Sequence, residues 1–238
     1  MFMSTASRIA IVLALLTLAG CRHRSHGDDY FPLTLGSQWQ YRVERTTMDG
    51  VRQLRYFIEV SPPAPHQPAD VRSRVTLDGQ RFIYKMTDEG IYRLGVQRRR
   101  GEPLAEDTQR QMVMPAKLTL DQQWQARSPT TVLESSAPPW ESLFRVQVPV
   151  DMHYRVASLD ADVTTPAGDF EHCLLVSGRG TADADLGNGI GAASIEVSSH
   201  EWYAPNIGLV RMEHHERTSA KALSAGAVVM ELDNWSHP

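Results

Sequence analysis

The chain has 238 residues and a formal net charge of −4, with 24 Lys and Arg against 28 Asp and Glu. This mild acidity argues against a nucleic-acid interface, which needs a concentrated basic face, and the 42% share of apolar residues excludes a disordered chain. About 210 residues follow the N-terminal segment, enough for one domain with a sizeable core.

The N-terminus has the pattern of a bacterial lipoprotein signal. One positive charge, Arg8, precedes an apolar run over residues 9–19 that is too short to cross a bilayer as a mature helix. The run ends in Leu18-Ala19-Gly20-Cys21, which resembles the lipobox, in which the thiol is acylated and the chain is cut before the cysteine. We therefore expect residues 1–20 to be a cleaved signal peptide and Cys21 to carry the acyl chains, such as palmitate, that anchor the protein to a membrane.

The residues after the expected cleavage site predict where the protein is anchored. Residues 21–29 are polar and without pattern, and they predict a tether between the lipid and the folded domain. Arg22 follows the cysteine, and enteric-type lipoproteins that stay in the inner membrane carry Asp at that position, so we expect the periplasmic face of the outer membrane. An ordinary signal peptide that ends near a cysteine is the alternative interpretation.

Beyond the tether, apolar and polar residues alternate with a period of two, which is typical of strands with one buried face. The longest run extends from Phe144 to Val156 and has apolar side chains at seven alternate positions. Pro149 has no N–H to donate, so we expect this strand to lie at an edge or to be bulged there. Shorter strands are predicted at 38–44, 54–60, 71–77, 81–86, 91–97, 171–179, 193–203, 208–215 and 227–234.

Turns between these runs indicate hairpins. Three dipeptides fit tight connections: Asp49-Gly50, Asp78-Gly79 and Glu89-Gly90. The sequence shows no sustained amphipathic helix, and residues 103–113 and 217–226 are the candidates for short ones. We predict an all-β, mainly antiparallel domain over residues 30–238, built as a single curled sheet, half-barrel or flattened barrel with few short helices. A sandwich is the alternative.

A short internal repeat supports one continuous sheet. The stretches 33–42 and 118–127 are identical at seven of ten positions, and a proline precedes each of them. In both copies a Leu is followed by a polar turn and then by a Trp at the start of a predicted strand. Because the repeat is short, it predicts two equivalent corners of one sheet and not two complete repeats.

Three motifs resemble those of a group of uncharacterised bacterial lipoproteins. They are Tyr30-Phe31-Pro32-Leu33 with Gly36 and Trp39, Pro166-Ala167-Gly168 with Phe170 and Cys173, and Trp202-Tyr203-Ala204-Pro205 with Gly208-Leu209-Val210. Their spacing extends the resemblance over most of residues 29–235. The resemblance implies a β-rich periplasmic domain similar to the curled-sheet lipoprotein carriers, and it implies no catalytic residues.

The two cysteines predict no disulfide in the mature monomer. If Cys21 is acylated, Cys173 has no intramolecular partner even in an oxidising compartment. Cys173 lies in a strand-like stretch where it shares a face with Leu175. We therefore expect a buried, unreactive thiol that acts as a small apolar side chain.

One cluster resembles a metal site, Glu213-His214-His215-Glu216. In a strand each face of this cluster offers one imidazole and one carboxylate, fewer than the three or four protein ligands of zinc. A solvated strand end is the alternative interpretation. The sequence contains no G-x-S-x-G motif and no phosphate-binding loop, and we assign no catalytic residue, metal or cofactor.

Trp202 and Tyr203 are the candidate binding residues. As neighbours on a strand they point to opposite faces, so one of them faces away from the core that buries the other. An exposed aromatic residue at this place would line a ligand groove or a protein interface. Burial of that residue by a neighbouring loop is the alternative.

The sequence therefore predicts a lipid-anchored periplasmic lipoprotein that binds or scaffolds without catalysis, with an apolar ligand or another lipoprotein as the candidate cargo. That function requires an open, apolar concavity. The alternative, a structural or assembly partner of an envelope complex, predicts an exposed aromatic patch around Trp202 and no cavity. A metal-dependent hydrolase is a further alternative, and it requires converging His and Glu side chains.

Overall fold

A computed structural model describes residues 26–62, 68, 70–99, 101–136, 143–187 and 189–238. Cys21 and the signal peptide lie outside these residues, and so does most of the tether. The lipid anchor therefore stays a prediction. Within the described ranges, no helix is both long and apolar enough to span a bilayer.

Strands account for nearly all of the regular structure. They are β1 (Gln38–Thr47), β2 (Gly50–Ser61), β3 (Val71–Thr76), β4 (Arg81–Thr87), β5 (Gly90–Gln97), β6 (Ala105–Pro115), β7 (Gln123–Pro129), β8 (Glu134–Ser135), β9 (Phe144–Arg145), β10 (Pro149–Thr165), β11 (Gly168–Asp185), β12 (Ala192–Ala204), β13 (Gly208–Thr218) and β14 (Ala225–Ser236). In the described part of the chain, the helical segments are α1 (Gly27–Tyr30) and a 3₁₀ turn at Lys221–Leu223.

Twelve strands form one antiparallel sheet, and β8 pairs with β9 outside it. The order across the sheet is β6-β5-β4-β3-β2-β1-β14-β13-β12-β11-β10-β7. The sheet curls until its edge strands β6 and β7 face each other, where the backbone N–H of Arg127 donates to Gln111 Oε1. The predicted all-β, antiparallel, curled sheet is confirmed, and the curl goes nearly to closure.

Two details differ from the prediction. A short helix is a candidate at residues 103–113 in the sequence, but Ala105–Pro115 forms β6, because pairing with β5 overrides the weak local preference. The long alternating run is divided, since residues 144–145 pair with β8 and β10 begins only at Pro149. The intervening Val146 donates its N–H to the carbonyl of Leu133 at 2.9 Å, which draws this stretch towards a loop. Alternation alone does not reveal such a change of partner.

The N-terminal segment closes one end of the curled sheet. Gly27 N donates to Ala116 O at 3.0 Å, and Asn206 N donates to Asp29 O at 2.6 Å, so the segment bridges the end of β6 and the β12–β13 turn. A Cβ on Gly27 would lie 2.1 Å from the carbonyl oxygen of Pro115, so glycine permits this close approach. Three side chains of the segment are buried in the core: Tyr30, Phe31 and Leu33.

The long β10–β11 hairpin bends across the sheet and covers a further part of the core. Its tip is fixed by the N–H of Ala167, which donates to Leu232 O at 3.0 Å. Cys173, in the bent part, is fully buried, and burial raises the pKa of its thiol to about 11. This agrees with the expectation of an unreactive thiol, because the reactive thiolate is scarce at neutral pH.

Candidate functional site

The inner face of the sheet encloses a cavity of about 360 Å³. Side chains from ten strands line it, namely β2 to β7, β10 and β12 to β14. Its volume lies within the usual range for small-molecule sites, about 300–1,000 Å³. The cavity is therefore the candidate site, and the residues of its wall determine what it accepts.

The apolar part of the wall combines aromatic and methionine side chains. Trp124 on β7 stacks on Tyr154 on β10, with ring centroids 5.6 Å apart and planes inclined by 17°. Met112, Met212 and Met230 line the cavity from β6, β13 and β14. Methionine is flexible and polarisable, so this wall adapts to ligands of irregular shape.

Glycine at residue 178 makes room for the aromatic pair. Gly178 on β11 lies opposite Tyr154 on β10. A Cβ at residue 178 would be 2.8 Å from Cε1 of the tyrosine ring and 2.5 Å from Ser199 Oγ. The tyrosine ring therefore lies flat over the glycine, and any larger residue at position 178 would collide with the ring.

Arg74 on β3 is the most unusual polar residue of the wall. It is only 7% exposed, and its guanidinium carbon lies 3.6 Å from the ring centroid of Phe31 and 4.8 Å from that of Trp39. Its Nη2 donates to the carbonyl oxygen of Pro32 at 3.0 Å. Among the described residues, its Nε has no hydrogen-bond partner and no carboxylate oxygen lies within 4.0 Å of the guanidinium. Burial lowers the pKa of Arg74.

Glu201 and Tyr203 project from β12 into the same cavity. The Tyr203 hydroxyl donates to Glu201 Oε2. Burial raises the pKa of Glu201 above its ordinary value, although the hydrogen bond from Tyr203 opposes this rise. The cavity thus contains one carboxyl group that is already hydrogen-bonded to its neighbour.

The structure separates the two candidate binding residues. Tyr203 is buried and lines the cavity, whereas Trp202 lies half-buried on the opposite face of β12. Arg211 covers part of the indole, with its guanidinium carbon 5.9 Å from the ring centroid. A ligand-binding role for either residue stays a prediction.

The seam between β6 and β7 separates the cavity from solvent. Gln111 borders the cavity and also two depressions on the outer side of the seam. Its side chain accepts the N–H of Arg127 at 2.5 Å, which joins the edges without a backbone ladder. Beside it, Arg93 and Asp107 form a bidentate ion pair with distances of 2.7 and 3.1 Å. At the seam, side-chain contacts therefore take the place of a backbone ladder between the edge strands.

The histidine cluster on β13 divides between the two faces of the sheet. His215 points outward into a shallow, charged hollow of about 790 Å³, together with His153 and His200. His214 points inward and its Nε2 lies 2.8 Å from Glu216 Oε1. Glu216 is fully buried, so the alternative interpretation of this cluster as a solvated strand end is wrong for this residue. Within the described ranges, no three His, Cys, Asp or Glu side chains converge as metal ligands.

Arg74 and Glu201 are two charged cavity residues that the sequence does not single out. Glu201 is two residues before Tyr203, so strand alternation places both on one face, and this signal was present in the sequence. Arg74 alternates with Arg72, a pattern that predicts a wet face. The N-terminal segment covers that face in the structure, and no local pattern reports such a distant contact.

Comparisons with known proteins identify the family. A family model described as DUF3108-like matches residues 105–224. No curated protein matches significantly. A Bacteroides fragilis protein described as exported, with a YmcC-like fold, is 16% identical with a TM-score of 0.42 over 87% of this chain and 99% of its own. A Parabacteroides distasonis protein described as a lipoprotein is 14% identical with a TM-score of 0.41 over 86% and 97%. Because the family model matches just over half of the chain, the protein belongs to the DUF3108-like family.

Proposed function

We propose that this protein is a lipid-anchored binding protein of the bacterial cell envelope, which holds an apolar or amphipathic small molecule inside its curled sheet and catalyses no reaction. The observation that carries the proposal is the interior cavity of about 360 Å³ with its aromatic and methionine wall. A scaffold needs no such space, because close packing of the interior is the stable arrangement for a purely structural domain.

The surface features favour binding over scaffolding. The scaffold alternative expected an exposed aromatic patch at Trp202, but this indole is half-buried against its neighbours. The outer hollow beside it is lined mainly by charged and polar side chains and lacks the aromatic centre of a typical protein interface. The aromatic and methionine lining of the interior cavity therefore favours ligand binding more than the outer surface favours a protein partner.

The anchor supports a role at a membrane. The lipobox-like sequence at Cys21 and the absence of Asp after it lead us to propose acylation, including palmitate, and residence on the periplasmic face of the outer membrane. The domain begins at the closed end of the sheet, where Gly27 is fixed to Ala116. A ligand taken from or passed to the bilayer would then enter from the side, at the seam.

A cavity-filling variant tests the proposal. Ala126 lines the cavity from β7, and the adjacent Gln125 points to the outside. We expect Ala126→Phe to abolish binding of octanol in isothermal titration calorimetry, because the added ring occupies the ligand's space, while Gln125→Phe binds as the wild type does. The same pair of proteins, isolated from membranes and examined by native mass spectrometry, should differ in any small molecule that they retain. Equal binding by both variants would contradict the proposal.

A further inference from the structure

Arg74 is a buried cation for which the described residues provide no counter-ion. Removing a guanidinium from water is costly unless hydrogen bonds and an opposite charge replace its hydration. Here the carbonyl oxygen of Pro32 and the ring faces of Phe31 and Trp39 replace part of the hydration of the guanidinium. The Nε–H is buried without an acceptor, a condition that is rare in folded proteins.

The carboxylates near the cavity wall do not act as the counter-ion of Arg74. The carboxylate of Asp107 is already paired with Arg93, and that of Glu201 accepts a hydrogen bond from the hydroxyl of Tyr203. Among the described residues, the contacts of the Arg74 guanidinium are the Pro32 carbonyl and aromatic rings, and they include no carboxylate. The cavity that Arg74 lines has room for a molecule that supplies such an acceptor.

We infer that the cavity binds an amphipathic anion whose carboxylate-like head pairs with Arg74 while its apolar body lies against the methionine and aromatic wall. The inference rests on the proposed function and adds the chemical class of the ligand. At roughly 30 Å³ for each water-sized group, a cavity of about 360 Å³ has room for about a dozen heavy atoms, which is the size of a medium-chain fatty acid. Arginine suits such a head because its planar fork donates two parallel hydrogen bonds to a carboxylate.

Octanoate and octanol form a matched pair of probes, since they share the alkyl chain and differ in the charged head. The protein is the mature chain, residues 21–238 with Cys21→Ser, exported behind a signal peptide that is cleaved without acylation and purified without detergent, and binding is measured by isothermal titration calorimetry. We expect the wild-type domain to bind octanoate at least about tenfold more tightly than octanol, the usual effect of a charge-assisted hydrogen bond.

The variants at residue 74 separate the anion site from a structural role. Arg74→Met should lose the preference for octanoate over octanol. Arg74→Lys should keep part of the preference, because it keeps the charge without the planar fork. Arg55→Met, which removes an exposed arginine on β2, should change neither affinity. If Arg74→Met does not fold, as judged by circular dichroism, Arg74→Lys carries the test.

The outcomes distinguish the inference from the proposed function. Octanol binding without any preference for octanoate would overturn the anion site and leave the binding function in place. A preference that persists in Arg74→Met, or one that is undiminished in Arg74→Lys, would also overturn the anion site. If the wild-type domain bound neither probe, both the inference and the proposed function would fail.

Discussion

The backbone amides of Gly36 and Asp121 make the same hydrogen bond in two corners of the sheet. Gly36 N donates to Val60 O at 2.9 Å, and Asp121 N donates to Val156 O at 3.0 Å. Both residues have left-handed backbone conformations, with φ of 82° and 63°. The repeat in the sequence is therefore a repeat in structure, as predicted for two equivalent corners of one sheet.

The two corners begin two similar halves of the sheet. After the first corner, β1 to β6 follow one another in space in the order of the sequence. After the second corner, β7 and β10 to β14 do the same, and the halves join where β1 pairs with β14. Each half therefore has six strands, and the cavity lies between the inner faces of the two halves.

The left-handed turn at Gly36 allows a test of the corner. A Cβ at this position has space, since its nearest neighbour would be 3.7 Å away, so the cost of a side chain is purely conformational. We expect Gly36→Ala to lower the free energy of unfolding by about 1–2 kcal/mol, measured by urea denaturation. Gly36→Asn should cost clearly less, because asparagine tolerates the left-handed region. Equal losses for the two variants would show that the turn is not the cause.

The sequence predicts what depends on neighbours along the chain. Alternation and short turns specify the strands of a curled antiparallel sheet, and the Leu-to-Trp repeat specifies its corners. The break before Pro149, the burial of Arg74 and the burial of Glu216 each depend on a distant segment that covers one face. The cavity also depends on contacts between distant segments, because ten strands contribute to its lining and the sequence of any one strand does not indicate it.

The contact of Tyr154 with Gly178 predicts a marked effect of one methyl group. Gly178→Ala would place Cβ 2.8 Å from the tyrosine ring, so the ring must move and its stacking with Trp124 is lost. We expect the free energy of unfolding to fall by about 1–3 kcal/mol and the near-ultraviolet circular dichroism to weaken. Ser177→Ala, one residue earlier on the opposite face, should have little effect. A stable Gly178→Ala protein with unchanged aromatic signals would contradict this packing.

The bond between Gln111 and Arg127 predicts how a ligand gains access. If ligands pass through the seam, Gln111→Ala removes the side chain that joins the edge strands and should increase the rates of octanol association and dissociation by at least about threefold, with an almost unchanged Kd. Stopped-flow measurement of tryptophan fluorescence reports both rates, because Trp124 lines the cavity. Gln109→Ala, an exposed neighbour on β6, is the control. Unchanged rates would indicate another route.

Glu216 should stabilise the fold at neutral pH but not in acid. Burial alone would raise its pKa, but the hydrogen bonds from His214 and from the backbone of Val132 and Thr131 outweigh burial, and the pKa of Glu216 lies below its ordinary value. A lowered pKa in the folded state means that the stabilisation is complete above the unfolded value of about 4.3 and is lost as the pH falls through the folded value.

The matching variant is Glu216→Gln. We expect it to lower the free energy of unfolding by about 2–3 kcal/mol at neutral pH, because two backbone amides lose a charged acceptor. The difference from the wild type should shrink as the pH falls through the lowered folded pKa of Glu216, because protonation then makes the wild-type side chain neutral as well. Glu213→Gln, on the outer face beside Arg211, should show neither effect of this size. A difference that is independent of pH would contradict the ionised state of Glu216.

Glu201 should show the opposite dependence on pH. Burial raises its pKa, so the folded state binds a proton more tightly than the unfolded state, and stability decreases as the pH rises from about 4.3 through the folded value. Urea denaturation should therefore show Glu201→Gln to be more stable than the wild type at neutral pH and equal to it in acid. A variant that is less stable at neutral pH would mean that the Glu201 charge is compensated inside the cavity. Arg74 is one of the arginines of the cavity wall, and compensation by Arg74 would count against its pairing with a ligand anion.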